Sequence, residues 1–298
     1  MQTNLTSTIP VYISTFNNPT YLENFIKQLE NNGVKNIKIV DSNSTFPRMR
    51  QLLETIENKY EVIRLDKNFG PHYLLRIKRV YNSLPEFFCL SDPDLEFSNK
   101  LPDDFINELK IISENHKMGK VGLALEIPKL EDILHKDMFL DGKKIGVIEY
   151  EMQFWTNCIG KNQTGDDLYD TTLDTQFALY NKNYFNPNDR YRSIRVAGKF
   201  TAKHLGQLRE SIVPLEEIDF YKSTSRYSYF SGKLNSDNEP SFDITVLEYT
   251  KMTELIESLK ENVQGLDSKV QEQNKLIQSI FASRRWKLAS LVLKIFGR

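Results

Sequence analysis

The sequence predicts an α/β fold in which helices cover both faces of a mainly parallel sheet. In the first half of the chain, short apolar runs alternate with segments whose apolar residues recur at helical spacing. Each apolar run ends in a cluster of Asn, Asp, Ser or Pro, as βα turns do. Because 40% of the 298 residues are hydrophobic and 27% are charged, the composition excludes a disordered or collagen-like chain.

The predicted elements follow one another at short intervals. Strands are expected at Ile9–Thr15, Ile37–Val40, Glu61–Leu65, Phe87–Leu90, Val121–Ile127 and Leu173–Tyr180, and helices at Tyr21–Asn31, Arg50–Lys59, His72–Asn82 and Phe105–Glu114. Gly33 predicts the end of the first helix, because glycine readily adopts the left-handed conformation of a helix C-cap. Pro71 suits the first turn of the third helix.

Charge and cysteine content narrow the functional class. Lys and Arg total 39 and Asp and Glu total 40, a balance that argues against general binding of nucleic acid. Two cysteines are too few for a disulfide framework. The N-terminus lacks the basic start and apolar core of a signal peptide, and no apolar run reaches the roughly 18 residues of a spanning helix. We therefore expect a cytoplasmic protein whose membrane contact, if any, is peripheral.

The motif Asp92-Pro93-Asp94 follows the apolar run FFCL. In an extended chain, residues i and i+2 point to the same side, and Pro93 disfavours helical backbone at Asp92. The two carboxylates can thus converge on Mg²⁺ or Mn²⁺, which would bridge a diphosphate. The alternative interpretation is an acidic turn that caps a helix.

Four segments at this spacing resemble one enzyme family. IPVYISTFNN, IKIVDSNST, NFGPHYLL and FFCLSDPDLEF resemble GT-A-fold glycosyltransferases of the large family-2-like group, over residues 9 to about 206. The resemblance implies a Rossmann-like GT-A domain that binds a nucleotide-sugar donor, with a UDP-sugar favoured, together with Mn²⁺ or Mg²⁺. It implies donor-binding roles for Ser14, Thr15, Phe16, Asn17, Asp41 and Ser42. It also implies that Asp92 lies near the ribose and the metal, and that Asp94 is the main metal ligand.

The same resemblance assigns later polar residues. His72 falls where many relatives place an Arg or Lys near the donor diphosphate, and Arg76 is the alternative cation one turn on. His204, in His204-Leu205-Gly206, resembles the late histidine that supplies a further metal ligand, and Lys203 is a candidate contact to the diphosphate. The alternatives are a helix-surface histidine for His72 and a structural histidine at a strand end for His204.

The general base departs from the family pattern. Inverting relatives carry an acidic pair at the start of a late helix, and no clean pair stands there in this chain. Asp174 is our preferred base, because it precedes the strand expected to line the sugar pocket. Glu149 and Glu151 are the next candidates. Inversion and retention both stay open, although the resemblance favours inversion.

The C-terminal part carries a heptad pattern. Apolar residues recur in alternating steps of four and three, with Gln273 the one polar position: Met252, Ile256, Leu259, Val263, Leu266, Val270, Gln273, Ile277 and Ile280. This spacing predicts a coiled coil over 249–281 that forms a homo-oligomer through 252–280. The alternative is one amphipathic helix packed on its own domain.

The last residues combine apolar side chains with positive charge. From Phe281 to Arg298 there are five basic residues and no acidic ones. This composition predicts a basic amphipathic helix at 282–298 on an anionic membrane surface, or alternatively a helix packed on the protein. SRRWKLASLVLKIFGR resembles the ending of many bacterial glycosyltransferases of envelope polysaccharide (capsule or O-antigen) synthesis, which implies a lipid-linked glycan acceptor at the inner face of the cell membrane.

The predicted organisation has four parts. A GT-A domain at 1–222 is followed by a linker or irregular lobe at 223–248, the coiled coil and the membrane helix. We expect a metal-dependent glycosyltransferase, peripheral on the membrane, that does not bind nucleic acid. A sugar-phosphate nucleotidyltransferase is less favoured, because STFNNPT after the first strand lacks a glycine-rich phosphate loop. A non-catalytic scaffold acting through the coiled coil is the other alternative.

Overall fold

The computed structural model describes residues 8–140, 142–225, 228–234, 265–266 and 268–282. The chain divides into two compact units, residues 1–239 and 240–298. Almost all of the predicted membrane helix and the first half of the predicted coiled coil lie outside the described residues. Most of the predicted linker does so too.

The first unit contains fourteen strands and seven α-helices among the described residues. The strands are β1 Val11–Thr15, β2 Ile37–Asp41, β3 Glu61–Arg64, β4 Phe87–Ser91, β5 Leu95–Phe97, β6 Lys120–Leu123, β7 Asp137–Leu140, β8 Lys143–Gly146, β9 Cys158–Lys161, β10 Asp167–Thr172, β11 Ala178–Asn181, β12 Arg192–Val196, β13 Ala202–His204 and β14 Lys233–Leu234. The helices are α1 Pro19–Asn31, α2 Pro47–Ile56, α3 Tyr73–Arg76, α4 Lys78–Ser83, α5 Phe105–His116, α6 Val147–Met152 and α7 Leu215–Thr224.

The central sheet has nine strands in the order β3-β2-β1-β4-β11-β6-β12-β10-β9. Its pairings give seven strands one common direction, while β10 and β11 run opposite to them. The expectation of a mainly parallel sheet is therefore confirmed. Two small sheets, β13-β5 and β14-β7-β8, complete the described strands.

Helices cover both faces of this sheet, as expected. Side chains alternate along each strand, so that Val11 and Ile13 of β1 enter one apolar cluster and Tyr12 enters another. The first cluster also contains the buried faces of α1, α2 and α5. Leu74 and Leu75 of α3 belong to the second cluster. Burial on both faces explains why the strands read as nearly continuous apolar runs.

The prediction of one continuous third helix is wrong, because the structure has two short helices there. Ile77 has extended backbone, with φ −86° and ψ 103°, and separates α3 from α4. The Ile77 side chain is buried. Two short helices therefore replace the single helix expected over His72–Asn82.

The predicted strand Leu173–Tyr180 is wrong in its first half. Strand β11 begins only at Ala178. The backbone carbonyls of Leu173 and Asp174 accept hydrogen bonds from the Lys120 amine, and the Thr175 carbonyl accepts one from the Asp92 amide. Because these carbonyls bond elsewhere, residues 173–177 form a loop instead of a strand.

The strand order places a crevice at the carboxyl ends of β1 and β4. The chain runs outward from β1 through β2 to β3, and then returns to the other side of β1 at β4. Ligands of open α/β sheets bind outside the strand ends where the order reverses in this way. The polar residues after β1, β2 and β4 all lie at this edge.

The second unit contains a described helix at 265–266 and 268–282. Its large apolar side chains are exposed, including Leu266 at 60% and Ile277 at 46%. None of the described helices is long and apolar enough to span a bilayer.

Candidate active site

Asn17 connects the loops that follow β1 and β2. It is fully buried and adopts a left-handed backbone with φ 51°. Its Oδ1 accepts hydrogen bonds from the amides of Thr45 and Phe46, and its own amide donates to Ser44 Oγ at 2.8 Å. Its Nδ2 donates to Thr224 Oγ1 of α7. The structure therefore gives Asn17 a role in holding the loops after β1 and β2 together, and its predicted contact with a donor stays a prediction.

The other predicted donor-binding residues lie around the same edge. Ser14, Thr15, Asp41 and Ser42 are buried at the ends of β1 and β2. The Asp41 carboxylate accepts a hydrogen bond from the Ser44 amide at 3.1 Å, and the Ser42 hydroxyl has no hydrogen-bond partner among the described residues. These groups form a small polar patch between the two strand ends.

An aromatic wall from α7 stands beside this patch. The Phe16 ring meets Tyr221 edge-on, with centroids 6.3 Å apart, and Phe46 packs on Phe220. Burial raises the pKa of Tyr221 to about 12, with a further contribution from Asp94. Tyr221 therefore lies within electrostatic reach of the D-x-D motif.

Asp94 and His204 meet through the pairing of β5 and β13. His204 lies opposite Leu95 in this antiparallel ladder, and the Leu205 amide donates to the Asp94 carbonyl at 2.8 Å. This register brings His204 Nε2 to 3.3 Å from Asp94 Oδ2. The structure thus joins the predicted D-x-D motif to the predicted late histidine.

The two aspartates of the motif share a partly buried, acidic environment. Burial raises the pKa of Asp92 well above its ordinary value, and the charge of Asp94 raises it further. Tyr229 closes the site from one side, with its ring centroid 4.5 Å from that of His204. Gly206 leaves room for the Asp94–His204 contact, since a Cβ there would lie 3.0 Å from Asp94 Oδ2.

The side chains fit a divalent cation in their chemistry. Asp94 Oδ1 and His204 Nδ1 are buried and have no hydrogen-bond partner within the part of the chain that the structure describes. Carboxylate oxygen and imidazole nitrogen are donors that Mn²⁺ accepts. No group of three or more His, Cys, Asp or Glu that could hold a metal ion occurs among the described residues. Any such ion would therefore depend on ligand oxygens as well as on Asp94 and His204.

Asp174 and His72 form a pair beside the loop that bonds to Asp92. His72 Nε2 lies 3.2 Å from Asp174 Oδ1, and the His72 side chain is only 2% exposed whereas that of Asp174 is 64% exposed. The carboxylate is therefore on the open side, with the imidazole behind it. This placement overturns the interpretation of His72 as a helix-surface histidine and gives it a carboxylate contact. Arg76, half-buried at the end of α3, lies one turn further on.

Glu151 lies in a buried polar network. Its carboxylate accepts a hydrogen bond from Gln207 Nε2 at 3.2 Å and lies 3.5 Å from Arg195 Nη1. Both charged side chains are almost fully buried, and Arg195 stacks on Phe154. A paired, enclosed carboxylate is poorly placed to take a proton from an entering hydroxyl. Glu149 lies in the first turn of α6 and is exposed.

Lys203 is not brought to this cluster. It precedes His204 on β13, and alternate residues of a strand point to opposite faces. Its amine pairs with Glu96 at 3.1 Å on the exposed side of the β5–β13 ribbon. The predicted contact of Lys203 with a diphosphate therefore has no support in the geometry.

Sequence reasoning missed three residues that shape the site: Lys120, Tyr221 and Tyr229. Lys120 begins β6 and is fully buried, which the sequence signalled only as a lysine beside an apolar run. The two tyrosines come from segments with no strong periodicity. Their proximity to Asp94 depends on tertiary packing.

The chain has weak structural similarity to several solved proteins. TarS 1-349 of S. aureus is 14% identical, with 80% of this chain and 69% of that chain covered at a TM-score of 0.40. GalNAc-T7 with UDP, GalNAc and Mn²⁺ is 10% identical, with 68% and 45% covered at 0.43. HddC from Yersinia pseudotuberculosis is 12% identical, with 72% and 97% covered at 0.39. No family model and no curated protein matches the chain. At TM-scores below 0.5, function has to be inferred from the site itself.

Proposed function

We propose that the protein is a GT-A-type glycosyltransferase that moves a sugar from a nucleotide-sugar donor to an acceptor hydroxyl. The observation that carries this proposal is the 3.3 Å contact between Asp94 and His204 at the strand-order reversal beside β1 and β4. A carboxylate motif and an imidazole at this edge suit a diphosphate with its divalent cation. A UDP-sugar is the favoured donor.

The donor would lie along the ends of β1 and β2. Ser14 and Thr15 end β1 and Phe16 follows it, while Asp41 ends β2 and Ser42 follows. The Phe16 ring offers a face for a base, and the Asp41 carboxylate can accept from ribose hydroxyls in addition to the Ser44 amide. Asn17 keeps these two loops together.

Mn²⁺ or Mg²⁺ would be held by Asp94 and His204, with Asp92 next to them. When bound, such a cation neutralises charge that develops on the leaving diphosphate. Asp92 is fixed by its own backbone, because its amide donates to the Thr175 carbonyl at 2.9 Å. The carboxylates thereby keep a fixed distance from the loop that carries Asp174.

Asp174 is the proposed general base. Its carboxylate is exposed, and its charge acts on both Asp92 and Tyr150. In this position it would accept the proton of the acceptor hydroxyl as that oxygen attacks the anomeric carbon. His72 behind it orients the carboxylate. Transfer by a single attack from this side would invert the anomeric centre.

The C-terminal unit would bring the enzyme to its acceptor. Several exposed apolar residues of the described helix, including Leu266 and Ile277, occupy core positions of the heptad pattern in the sequence. Their exposure supports a homo-oligomer through 252–280. The basic segment 282–298 would bind the inner face of the cell membrane, where lipid-linked glycans are available. Several weak membrane helices on one oligomer would add their affinities.

Turnover of donor by full-length protein tests this function. Release of UDP from a panel of UDP-hexoses and UDP-N-acetylhexosamines would be measured with Mn²⁺, with water or added glycans as acceptors. We expect one donor to be consumed, and Asp174→Asn to abolish its consumption without changing the melting temperature. Asp167→Asn, an exposed aspartate paired with Lys161 on the distal hairpin, is the matched control. Equal turnover by both variants would overturn the role of Asp174.

A further inference from the structure

Lys120 is a buried lysine that no step described above uses. Its side chain has no exposed surface. The residue begins β6, a strand in the middle of the sheet. Its amine donates to the carbonyls of Leu173 at 2.5 Å, Asp174 at 2.7 Å and Arg190 at 3.2 Å. It also lies over the Tyr180 ring, 5.3 Å from the centroid.

Two of these three carbonyls belong to the loop that carries Asp174. The same loop is tied at further points: the Leu173 amide donates to the Tyr191 carbonyl, and the Asp174 amide donates to Gln176 Oε1 at 2.9 Å. Its Thr175 carbonyl accepts from the Asp92 amide. The loop therefore joins the proposed base to the D-x-D motif. Lys120 holds this loop through the carbonyls of Leu173 and Asp174.

We propose that Lys120 is a positioning residue that holds the 173–177 loop so that the Asp174 carboxylate keeps its working distance from Asp92 and from the donor. This inference rests on the proposed function. Lys120 itself touches no donor or acceptor atom, because it is enclosed by the sheet and by the loop carbonyls. A methionine of similar length would fill the space but leave these carbonyls without their donor.

The chain contains a matched control. Lys182 donates to three carbonyls in the same manner, those of Tyr81, Asn82 and Leu84, and lies 5.1 Å from the Tyr81 ring centroid. It anchors the end of α4, and its carbonyl partners lie outside the loop of Asp174. Lys182→Met thus removes the same kind of contact without disturbing the proposed base.

The kinetic test compares Lys120→Met with Lys182→Met in the full-length protein. For Lys120→Met we expect kcat for UDP release from the donor to fall about 100-fold, as displaced catalytic groups do, while the Kd of UDP with Mn²⁺ stays unchanged. Lys182→Met should lower the melting temperature while kcat stays near the wild-type value. If Lys120→Met keeps wild-type kcat, or loses UDP affinity in step with kcat, the positioning role is wrong.

A second measurement is independent of turnover. Hydrogen exchange of peptides covering 170–176 should become faster in Lys120→Met and stay unchanged in Lys182→Met, with the peptide of β1 as an internal reference. Unchanged exchange in the loop would overturn the inference. If the wild type consumes no donor while the loop still loosens, the glycosyltransferase function fails and the anchoring of the loop stands.

Discussion

His204 Nε2 lies 3.3 Å from Asp94 Oδ2, and the pairing of β5 with β13 sets this contact. The two residues come from distant parts of the sequence, and one backbone hydrogen bond from Leu205 to Asp94 fixes their register. The contact brings a carboxylate and an imidazole together where the sheet order reverses.

Gly206 should be needed for the geometry of the pair. A Cβ at this position would lie 3.0 Å from Asp94 Oδ2 and 3.4 Å from His204 Cε1. We expect Gly206→Ala to weaken Mn²⁺-dependent binding of UDP with little change in melting temperature, as measured by calorimetry and thermal unfolding. The control is Gly265→Ala, because a Cβ there meets nothing within 4 Å. Equal affinities in the two variants would contradict the prediction.

Glu151 should contribute to stability and not to proton transfer. Replacing one partner of a buried ion pair leaves the other uncompensated and costs about 3 kcal/mol. Glu151→Gln is therefore expected to lower the free energy of unfolding in urea by up to this amount while kcat stays near the wild-type value. Replacing Glu151 and Arg195 together by Leu and Met should recover part of the loss. A stable Glu151→Gln variant without turnover would instead make Glu151 the base.

Stability should rise with pH because of Lys120. Burial lowers the pKa of Lys120 to about 7, opposed by the carboxylates of Asp174 and Asp92 and aided by Arg195 and Arg190. An unfolded lysine has a pKa of about 10.4, so the unfolded chain binds more protons between these two values. The free energy of unfolding gained from this residue therefore increases from about pH 7 upward and levels off near the unfolded pKa.

Urea unfolding of wild type and Lys120→Met at pH 7, 8 and 9 measures this effect. The stability of the wild type relative to the variant should grow with pH, while other titrating groups cancel in the difference. Parallel curves would show that Lys120 keeps an ordinary pKa in the folded protein.

The exposed apolar residues at the core heptad positions of the C-terminal helix should mediate self-association. Ile277 and Ile280 are half-exposed and occupy core positions of the heptad pattern. We expect the double change Ile277→Asp and Ile280→Asp to give monomers in analytical ultracentrifugation, where the wild type sediments as an oligomer. Gln271→Asp with Gln278→Asp adds the same charge at outer positions and should leave the oligomer intact. A monomeric wild type would contradict the proposal.

Much of the sheet could be predicted because its strands are short apolar runs with polar ends. The run before Asp92 and the glycine after the first helix gave local signals, and both features are present in the structure. Asp94 and His204 could be nominated because each belongs to a recognisable motif. A strand or a site residue could thus be predicted wherever a single short segment of sequence contained all the information needed.

The remaining features depend on contacts between distant segments. The sequence pattern of residues 173–177 predicts a strand. In the structure the Lys120 amine donates to the Leu173 and Asp174 carbonyls, and the local sequence does not reveal these hydrogen bonds. Glu151 is a candidate base from its sequence position, and its pairing with Arg195 depends on a tertiary contact that the local sequence does not contain. Lys203 is next to His204 in the sequence, but the alternation of side chains along β13 pairs it with Glu96 instead.

The most direct test of the account is calorimetric titration of UDP, with and without Mn²⁺, into wild type and Asp94→Asn. GDP and dTDP serve as comparison nucleotides, and His116→Gln, an exposed histidine at the end of α5, is the control for His204→Gln. We expect UDP binding that requires Mn²⁺ and weakens about 10-fold or more in Asp94→Asn and in His204→Gln. Folded wild-type protein that binds none of these nucleotides, or binds UDP equally well without Asp94, would contradict it.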